Sequence, residues 1–324
     1  MEKKDFYPLV FEPIFKNYIW GGDSLKDIYN KKSLDKTAES WEIVDRQEEQ
    51  SVVFNGPLKG ISLNKLITKY PKQILGDHKF KRFPLLIKLI DAKDDLSLQV
   101  HPSCKTAHLT KGEEKNEAWY ILQASDDAAI YAGFNNIVNE DLFRAALKDN
   151  TVADLLKKFQ VKKKDYIYIP GGCIHAILKG CVILEVQQNS DTTYRVYDWD
   201  RVDQNGNKRT LHIDKALTSI DWDNISSPLQ NETLVTSNDN MKVYEGIDSF
   251  YFTIKKINAF SSFSLDYDEN SFHVLFVEEG VVDLECNGYS LNLKKGMTIL
   301  IPAVCSRVLV HINSNFVSLI EISL

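Results

Sequence analysis

The fold of this chain is decided by the segment Asp165-Tyr166-Ile167-Tyr168-Ile169-Pro170-Gly171-Gly172-Cys173-Ile174-His175. Its first half is a run of aromatic and β-branched residues, which predicts a β-strand that ends at Pro170. Two glycines then permit a tight turn, and His175 follows. An earlier segment, Ser97-Leu98-Gln99-Val100-His101-Pro102, also combines a short strand pattern with a histidine and a proline. Together the two segments predict a polar site built into an antiparallel β-structure.

Strand patterns of this kind recur along most of the chain. Alternating residues, or short runs of β-branched and aromatic residues, occupy positions 51–54, 119–122, 182–186 and 298–301. Gly, Pro, Asn and Asp separate these runs at a spacing typical of hairpins. We therefore expect a mainly β fold of the sandwich or barrel type.

Helical periodicity is confined to three segments of the chain. Residues 61–70 carry an N-cap signal at Ser62, and residues 213–220 form another, short segment with helical spacing. Residues 139–159 have apolar stripes at helical spacing, which predict two helices with a break near Asn150.

A weak internal repeat links the two halves of the chain. Residues 164–170 align with residues 295–302, and residues 117–122 align with residues 273–278. In both copies an apolar strand ends at a proline, but only the first copy continues to a histidine. The repeat predicts two related β-barrels, of which only the first binds a metal.

These barrels correspond to two expected domains. Residues 1–230 form the first, with a helical segment at about 136–160 as an insertion beside its barrel. Residues 240–324 form the second, which has no metal site. The stretch at 226–240 is polar and lacks strong periodicity, so it is the expected linker.

The composition excludes several classes of protein. The chain has 324 residues, of which 44% are hydrophobic and 26% are charged, as in ordinary globular proteins with room for two cores. Its net charge of −6 argues against nucleic acid and anionic membranes as partners, although a small basic pocket is compatible with it. We expect a small-molecule partner, and a monomer or weak homo-oligomer.

The sequence also predicts a cytoplasmic location. No apolar run is long enough to cross a bilayer, and the charged residues after Met1 do not form a signal peptide. The five cysteines are scattered, without a Cys-x-x-Cys pair, and are expected to be buried free thiols in a reducing compartment.

Four side chains in the strand segments form a candidate metal site. Gln99 and His101 are two residues apart in a strand, so both point to one face. Glu117 precedes an apolar run, where an unpaired carboxylate would be costly, and His175 follows the glycine turn. A hydrogen-bonded core histidine is the alternative interpretation of His101 alone. The four together give oxygen and nitrogen ligands without thiolate, which suits a catalytic divalent ion.

The motif Pro170-x-Gly172-x-x-His175 resembles the second motif of the cupin superfamily. Within that superfamily the whole chain resembles the type I mannose-6-phosphate isomerases of the short bacterial kind. The segments that carry this resemblance are Tyr18-Ile19-Trp20-Gly21-Gly22, Ala38-Glu39-Ser40-Trp41-Glu42, Leu96-Ser97-Leu98-Gln99-Val100-His101-Pro102, Lys115-Asn116-Glu117-Ala118-Trp119-Tyr120 and Gln188-Asn189-Ser190-Asp191-Thr192-Thr193-Tyr194-Arg195-Val196-Tyr197-Asp198. The Gln-Val-His-Pro and Asp-x-x-x-Arg segments are specific in combination.

The resemblance implies cupin-like barrels and a zinc enzyme that interconverts mannose 6-phosphate and fructose 6-phosphate through an enediol-type intermediate. It implies one Zn²⁺ per chain, and it places the metal ligands and the other site residues position by position. The implied metal ligands are Gln99, His101, Glu117 and His175, with Gln99 either a direct ligand or one shell further out. The implied catalytic residues are Arg195, Lys115, Glu39 and Asp191, and the implied substrate-binding residues are Trp20, Lys115 and Arg195. Asn116 departs from the usual pattern before the glutamate.

The chemistry leaves several roles open. Removal of a proton beside a carbonyl needs a base, and Glu39, Asp191, the Lys115 amine and a metal-bound hydroxide are all candidates. Taken alone, Lys115 fits a solvated loop, Arg195 a salt bridge to Asp198 or Asp200, and Trp20 a packing role.

Three other functions compete with the isomerase. The first is a cupin enzyme acting on another sugar phosphate or on free mannose, since the pocket and not the fold decides the substrate. The second is a sugar-responsive binding protein without catalysis, which has no need of the full ligand set. The third is an iron dioxygenase, whose usual facial histidine pattern Gln99-x-His101 does not reproduce.

Overall fold

The computed structural model describes residues 2–31, 36–202 and 205–324. The strands in the first part of the chain are β1 (Leu9–Val10), β2 (Ile14–Lys16), β3 (Glu39–Ile43), β4 (Leu85–Ala92), β5 (Leu98–Val100), β6 (Glu117–Ala124), β7 (Ala129–Phe134), β8 (Leu156–Gln160), β9 (Tyr166–Ile169), β10 (His175–Ile177), β11 (Cys181–Gln188), β12 (Tyr194–Tyr197) and β13 (Leu229–Gln230). Those that follow are β14 (Thr233–Ser237), β15 (Met241–Asp248), β16 (Thr253–Ala259), β17 (Phe263–Asp266), β18 (His273–Glu279), β19 (Val281–Cys286), β20 (Tyr289–Lys294), β21 (Thr298–Ile301), β22 (Arg307–Ile312) and β23 (Val317–Ser323). The α-helices are α1 (Ser24–Tyr29), α2 (Leu63–Lys69), α3 (Pro71–Leu75), α4 (Ala107–Thr110), α5 (Glu140–Lys148) and α6 (Ile213–Ser219), and 3-10 turns lie at Lys3–Asp5 and Val152–Leu155.

The expected mainly β fold is confirmed. Among the described residues the strands form antiparallel sheets with the orders β13-β9-β6-β11-β4-β3-β2 and β12-β5-β10-β7-β8 in the first half. The second half has the orders β1-β21-β18-β23-β16-β15-β14 and β17-β22-β19-β20. None of the described helices combines the length and the apolar character needed to cross a bilayer.

The predicted internal repeat is confirmed by the strand order. The series β9-β6-β11-β4 recurs as β21-β18-β23-β16, and the series β5-β10-β7-β8 recurs as β17-β22-β19-β20. The register agrees as well, because Glu117 lies opposite Ile169 in the first half and His273 lies opposite Ile301 in the second. The position of Glu117 is thus occupied by a histidine in the second copy.

The stretch expected to be a linker contains two strands. Residues of β13 pair with β9 in the first half, whereas residues of β14 pair with β15 in the second. The side chains of both strands are exposed to solvent, which explains why this stretch has no hydrophobic pattern. Backbone hydrogen bonding to a sheet edge, rather than burial of side chains, orders this segment.

The helix predictions are confirmed in part. Helix α2 begins after Ser62, whose hydroxyl accepts a hydrogen bond from the amide of Lys65 at 3.4 Å. Helix α5 is capped by Asn139. The second predicted helix of the 136–160 segment is wrong: a 3-10 turn is followed by β8, which pairs with the edge of β7. The spacing of apolar residues there fits a helix, but the free edge of β7 supplies hydrogen-bond partners that a strand can use.

A continuous core cluster joins the two halves. It contains Leu89 and Tyr120 from the first half and Phe276 and Ile299 from the second, all at most 1% exposed. Strand β1, near the start of the chain, also pairs with β21 in the second half. All five cysteines are free thiols, four of them buried as expected, while Cys104 is exposed.

A buried ion pair beside this core gives a testable stability prediction. The Lys31 ammonium lies 2.6 Å from Glu42 on β3, and the hydroxyl of Thr298 on β21 donates to the same carboxylate at 3.0 Å. Replacing Glu42 with alanine leaves the buried Lys31 ammonium without its carboxylate partner. We therefore expect Glu42→Ala to lower the free energy of unfolding by about 3 to 5 kcal/mol. Urea unfolding measures this change. The exposed Arg144–Glu140 pair provides the control, and Arg144→Ala should change stability little.

Candidate metal centre and active-site cavity

Neighbouring strands place three of the site residues in one row. Gln99 on β5 is the register partner of His175 on β10 and, on its other side, of Arg195 on β12. Residues that are paired across a sheet project to the same face, so the three side chains point into the space between the sheets. Glu117 on β6 comes from the facing sheet. His101 directly follows the last residue of β5 and precedes Pro102.

The predicted metal ligands His101, Glu117 and His175 meet in a buried cluster. Their ligand atoms all lie within 4.8 Å of one another, and no side chain is more than 1% exposed. The Nε2 atoms of His101 and His175 each lie 3.2 Å from an oxygen of Glu117. Trp119 packs its ring against His175 with a centroid distance of 5.6 Å. The cluster is therefore fixed in position by its own strands.

The proton positions in this cluster fit a bound cation. Each histidine places Nδ1 2.9 Å from a backbone carbonyl, of Thr192 for His101 and of Cys173 for His175. A neutral imidazole that donates from Nδ1 leaves Nε2 as an acceptor. The buried Nε2 of His101 and Oε1 of Glu117 accordingly have no hydrogen-bond partner, whereas Oε2 of Glu117 also faces the Lys115 ammonium at 2.9 Å. Acceptors that face one another without a proton between them are repulsive, and a divalent cation removes that repulsion.

The pKa shifts agree with this arrangement. Burial, together with the nearby Lys115 ammonium, lowers the pKa of His101 to about 3, so the imidazole is neutral at pH 7. Burial acts to raise the pKa of Glu117, but Lys115 and then His101 outweigh it and hold that pKa well below its usual range. A neutral imidazole and an ionised carboxylate are the forms in which these groups bind metal.

Gln99 and Lys115 connect the buried cluster to an open cavity. The side-chain nitrogen of Gln99 lies 3.3 Å from Nε2 of His175, so a half-turn of the amide would direct its oxygen at the same point. The Lys115 ammonium lies 2.9 Å from Glu117 and is itself buried, which differs from the solvated loop that its sequence context predicts. Both residues line the cavity that lies over the cluster.

The cavity has a volume of about 280 Å³ and brings together every remaining residue predicted for the site. Its lining includes the predicted residues Trp20, Glu39, Gln99, Lys115, Asp191 and Arg195. Trp20 is 3% exposed and belongs to the core of the first half as well as to the cavity wall. Asp191 is exposed and lies at the mouth. A larger groove of about 810 Å³ near Phe250 contains no comparable cluster among the described residues.

Three charged residues of the cavity were not identified from the sequence: Lys88, Glu185 and Arg209. Lys88 on β4 lies 3.1 Å from Glu185 on β11 and 3.7 Å from Glu39. Trp119 donates its indole N–H to Glu185 at 3.1 Å. A charged residue flanked by buried apolar residues within a strand is the signal that could have identified Lys88 and Glu185.

The pKa values of Lys88 and Glu185 are both shifted from their usual values. Burial raises the pKa of Glu185, and the Lys88 ammonium opposes that shift only in part. Burial acts to lower the pKa of Lys88, but Glu185 and Glu39 reverse the direction and raise it above its usual value. The cavity therefore holds a protonated lysine beside a carboxylate whose affinity for a proton is increased, a combination that suits proton transfer.

The repeated antiparallel sheets and the buried His/Glu/His cluster under a polar cavity define a cupin-type enzyme with a candidate metal centre. Residues 9–133 match the family model for the phosphomannose isomerase type I catalytic domain. The mannose-6-phosphate isomerase ManA of Bacillus subtilis (strain 168) is 37% identical over 297 residues, which cover 91% of this chain and 93% of that protein. The mannose-6-phosphate isomerase of Streptococcus mutans is 35% identical over 298 residues, which cover 91% of this chain and 92% of that protein.

A solved structure agrees over the full length. The crystal structure of the mannose 6-phosphate isomerase from Bacillus subtilis has a TM-score of 0.90 at 32% identity, and the match covers 98% of this chain and 99% of that chain. The chain therefore belongs to the type I mannose-6-phosphate isomerases, a family of aldose–ketose isomerases.

Proposed function

We propose that this protein interconverts mannose 6-phosphate and fructose 6-phosphate with one zinc ion per chain. The observation that carries the proposal is the buried set of ligand atoms on His101, Glu117 and His175 that face one another at the floor of a polar cavity. The names of the relatives at 37% and 35% identity supply the substrate. Gln99 is the proposed fourth protein ligand. Zinc bound there would polarise the substrate carbonyl and stabilise negative charge on oxygen.

The reaction requires a proton to leave the carbon beside the carbonyl and to return to its neighbour, through an enediol-type intermediate. A base for this step needs a raised proton affinity and access to the cavity. Glu185 meets both conditions, because burial raises its pKa and it lines the cavity; it shares with Glu39 the acceptance of an indole hydrogen bond. We assign the proton transfer to Glu185, with Lys88 beside it as the group that stabilises the developing charge. Asp191 at the mouth is the alternative base.

The remaining cavity residues bind and orient the sugar phosphate. Lys115 places a positive charge next to Glu117, where negative charge develops on the substrate. Trp20 supplies an apolar wall for the sugar. Arg195 lies on the other side of Gln99 from His175, where its planar donors suit the phosphate.

The proposal extends to the domain organisation, the location and the oligomeric state of the protein. The repeated strand order supports two cupin-like jelly-roll barrels, with residues 1–230 as the catalytic domain, residues 240–324 as the second domain, and helix α5 in the insertion beside the first barrel. The free cysteines support a reducing, cytoplasmic location. We retain a monomer or weak homo-oligomer, without nucleic acid or membrane, as the proposed state.

The direct test is a substrate panel assayed with zinc-loaded protein. Formation of fructose 6-phosphate from mannose 6-phosphate is the expected result, with much lower turnover of glucose 6-phosphate and of unphosphorylated mannose. Equal turnover of mannose and mannose 6-phosphate would contradict a phosphate-dependent site. Oxygen consumption with iron-loaded protein would point to a dioxygenase instead, and tight sugar binding without turnover would point to a binding protein.

A further inference from the structure

Asn116 separates two residues of the candidate site, Lys115 and Glu117, but does not itself line the cavity. It is only 5% exposed, so its polar side chain needs hydrogen-bond partners within the protein. The amide oxygen accepts the backbone N–H of Gly171 at 2.9 Å, and the amide nitrogen donates to Oε1 of Gln188 at 2.7 Å. The side chain thus joins the segment that carries the lysine and the glutamate to two other segments of the chain.

The orientation of the Asn116 amide follows from its backbone partners. A backbone N–H can only donate, so the atom of Asn116 that faces Gly171 is the oxygen. Oε1 of Gln188 also accepts the backbone N–H of Asn116 at 2.9 Å, which identifies it as an acceptor for the amide nitrogen. The side chain is therefore held from both ends.

These contacts link the segments that carry the candidate metal ligands. Gly171 lies four residues before His175 and packs closely against the residue that follows His101. A Cβ atom at Gly171 would lie 2.7 Å from the carbonyl oxygen of Pro102, and the backbone N–H of Lys115 donates to that same carbonyl at 3.0 Å. The positions of the lysine and of both histidine segments therefore depend on one another.

The second half of the chain contacts this network through Tyr251, which lies between β15 and β16. The amide nitrogen of Asn116 also donates to Oε1 of Glu114 at 3.0 Å, and the same oxygen accepts a hydrogen bond from the Tyr251 hydroxyl. Burial raises the pKa of Tyr251, and the Glu114 carboxylate raises it further, so the hydroxyl is protonated at pH 7 and can donate. One carboxylate oxygen thus connects the second half to Asn116.

Lys115 is carried by a segment that has no regular structure of its own. Helix α4 ends at Thr110 and β6 begins at Glu117, so residues 111–116 are outside every sheet. The Lys115 ammonium is nevertheless buried, 2.9 Å from Glu117. A displacement of about 1 Å at a reacting group can lower a rate by about 100-fold. The contacts that fix residues 111–116 therefore bear directly on the reaction.

We propose that Asn116 is a positioning residue that fixes Lys115 and the turn before His175, and that Tyr251 holds Asn116 in place through Glu114. The second half of the chain thereby supports the site in the first half, in addition to packing against it. The inference rests on the proposed function for its kinetic test, whereas its effect on the retention of metal does not depend on turnover.

The test compares wild type, Tyr251→Phe, Asn116→Ala and the double variant as zinc-loaded proteins. Tyr267→Phe is the matched control, because Tyr267 donates the same kind of hydrogen bond to Glu321, at 2.6 Å, away from the cavity. Steady-state kinetics give kcat and KM for mannose 6-phosphate, and competition with a colorimetric chelator gives the rate of zinc release. Thermal unfolding reports whether each variant is folded.

We expect Tyr251→Phe to lower kcat by about 3- to 10-fold and to speed zinc release by about 3-fold, as the loss of one hydrogen bond predicts. Asn116→Ala removes all the contacts of the amide, so kcat should fall by about 10- to 100-fold and zinc release should be about 10-fold faster. In the Asn116→Ala background, Tyr251→Phe should change either rate by less than about 2-fold, because the connection is already broken. Tyr267→Phe should match wild type.

A conservative change at Glu114 separates hydrogen bonding from general destabilisation. Glu114→Gln keeps an acceptor oxygen for both Tyr251 and Asn116, and it should retain most of the wild-type kcat. Glu114→Ala removes that acceptor and should resemble Tyr251→Phe or exceed it.

Unchanged kcat and zinc release in Tyr251→Phe would overturn the proposal, and so would an equal loss in Tyr267→Phe or additive losses in the double variant. If Asn116→Ala does not fold, the comparison of Tyr251→Phe with Tyr267→Phe decides alone. Wild-type protein that holds zinc without isomerising mannose 6-phosphate would refute the proposed function. Faster zinc release in Tyr251→Phe, but not in Tyr267→Phe, would still support the positioning role in that case.

Discussion

The variant His175→Ala is expected to lose its zinc and with it essentially all isomerase activity. His175 is fully buried, contributes Nε2 to the cluster, and is fixed by its Nδ1 contact to the carbonyl of Cys173. Alanine removes one of the three residues of the cluster, so metal affinity should fall by about 100-fold. Turnover should fall by about 10⁴-fold or more, because the Lewis acid is lost together with the ligand. Metal analysis after dialysis and the rate of fructose 6-phosphate formation measure the two effects.

A surface histidine provides the control for this variant. His311 on β22 lies in the second half and has a half-exposed side chain. His311→Ala should retain zinc, activity and thermal stability. If His175→Ala kept a full complement of zinc and a near-normal rate, the metal site proposed here would be wrong.

The second large effect is expected for Glu185→Gln. Glutamine preserves the volume of the side chain and can still accept from Trp119, but it cannot take up a proton from carbon. General base catalysis contributes about 10² to 10⁴ in rate, so kcat should fall by that factor while zinc remains bound. Exchange of solvent deuterium into the substrate should fall in parallel, because exchange requires the same proton transfer.

The internal repeat supplies a matched control for Glu185. Glu185 pairs in register with Lys88, and Glu321 pairs in register with Lys255 at the corresponding place in the second half. Glu321 is also largely buried, and it accepts a hydrogen bond from Tyr267 at 2.6 Å. Glu321→Gln therefore makes the same substitution at a site away from the cavity. The kcat of this variant should equal that of wild type. Retention of activity in Glu185→Gln would transfer the role of base to Asp191 or Glu39.

The fold class followed from the sequence because strand periodicity and the repeat both depend on local residues. The segments around Ile169 and Ile301 each end at a proline, and this local pattern located equivalent strands in both halves. The error at residues 156–160 has a different origin. Strand β8 is stabilised by pairing with β7, a contact between segments that the apolar spacing of β8 alone does not reveal.

The buried cluster of His101, Glu117 and His175 could also be predicted, since short motifs carry these residues and the resemblance implies them as metal ligands. Lys88 and Glu185 could have been found as charged residues flanked by apolar residues in strands, but their mutual contact depends on the pairing of β4 with β11. Arg209 lies in a polar loop with no periodic signal. Its place at the cavity results from tertiary contacts with Asp198, which the sequence does not encode locally.

The central claim is that a metal held by His101, Glu117 and His175 enables this protein to isomerise mannose 6-phosphate. The most direct measurement is the rate of fructose 6-phosphate formation before chelation, after chelation, and after stoichiometric zinc is restored. We expect activity to disappear with the chelator and to return at about one zinc ion per chain. Undiminished activity in protein shown by metal analysis to contain no metal would contradict the claim.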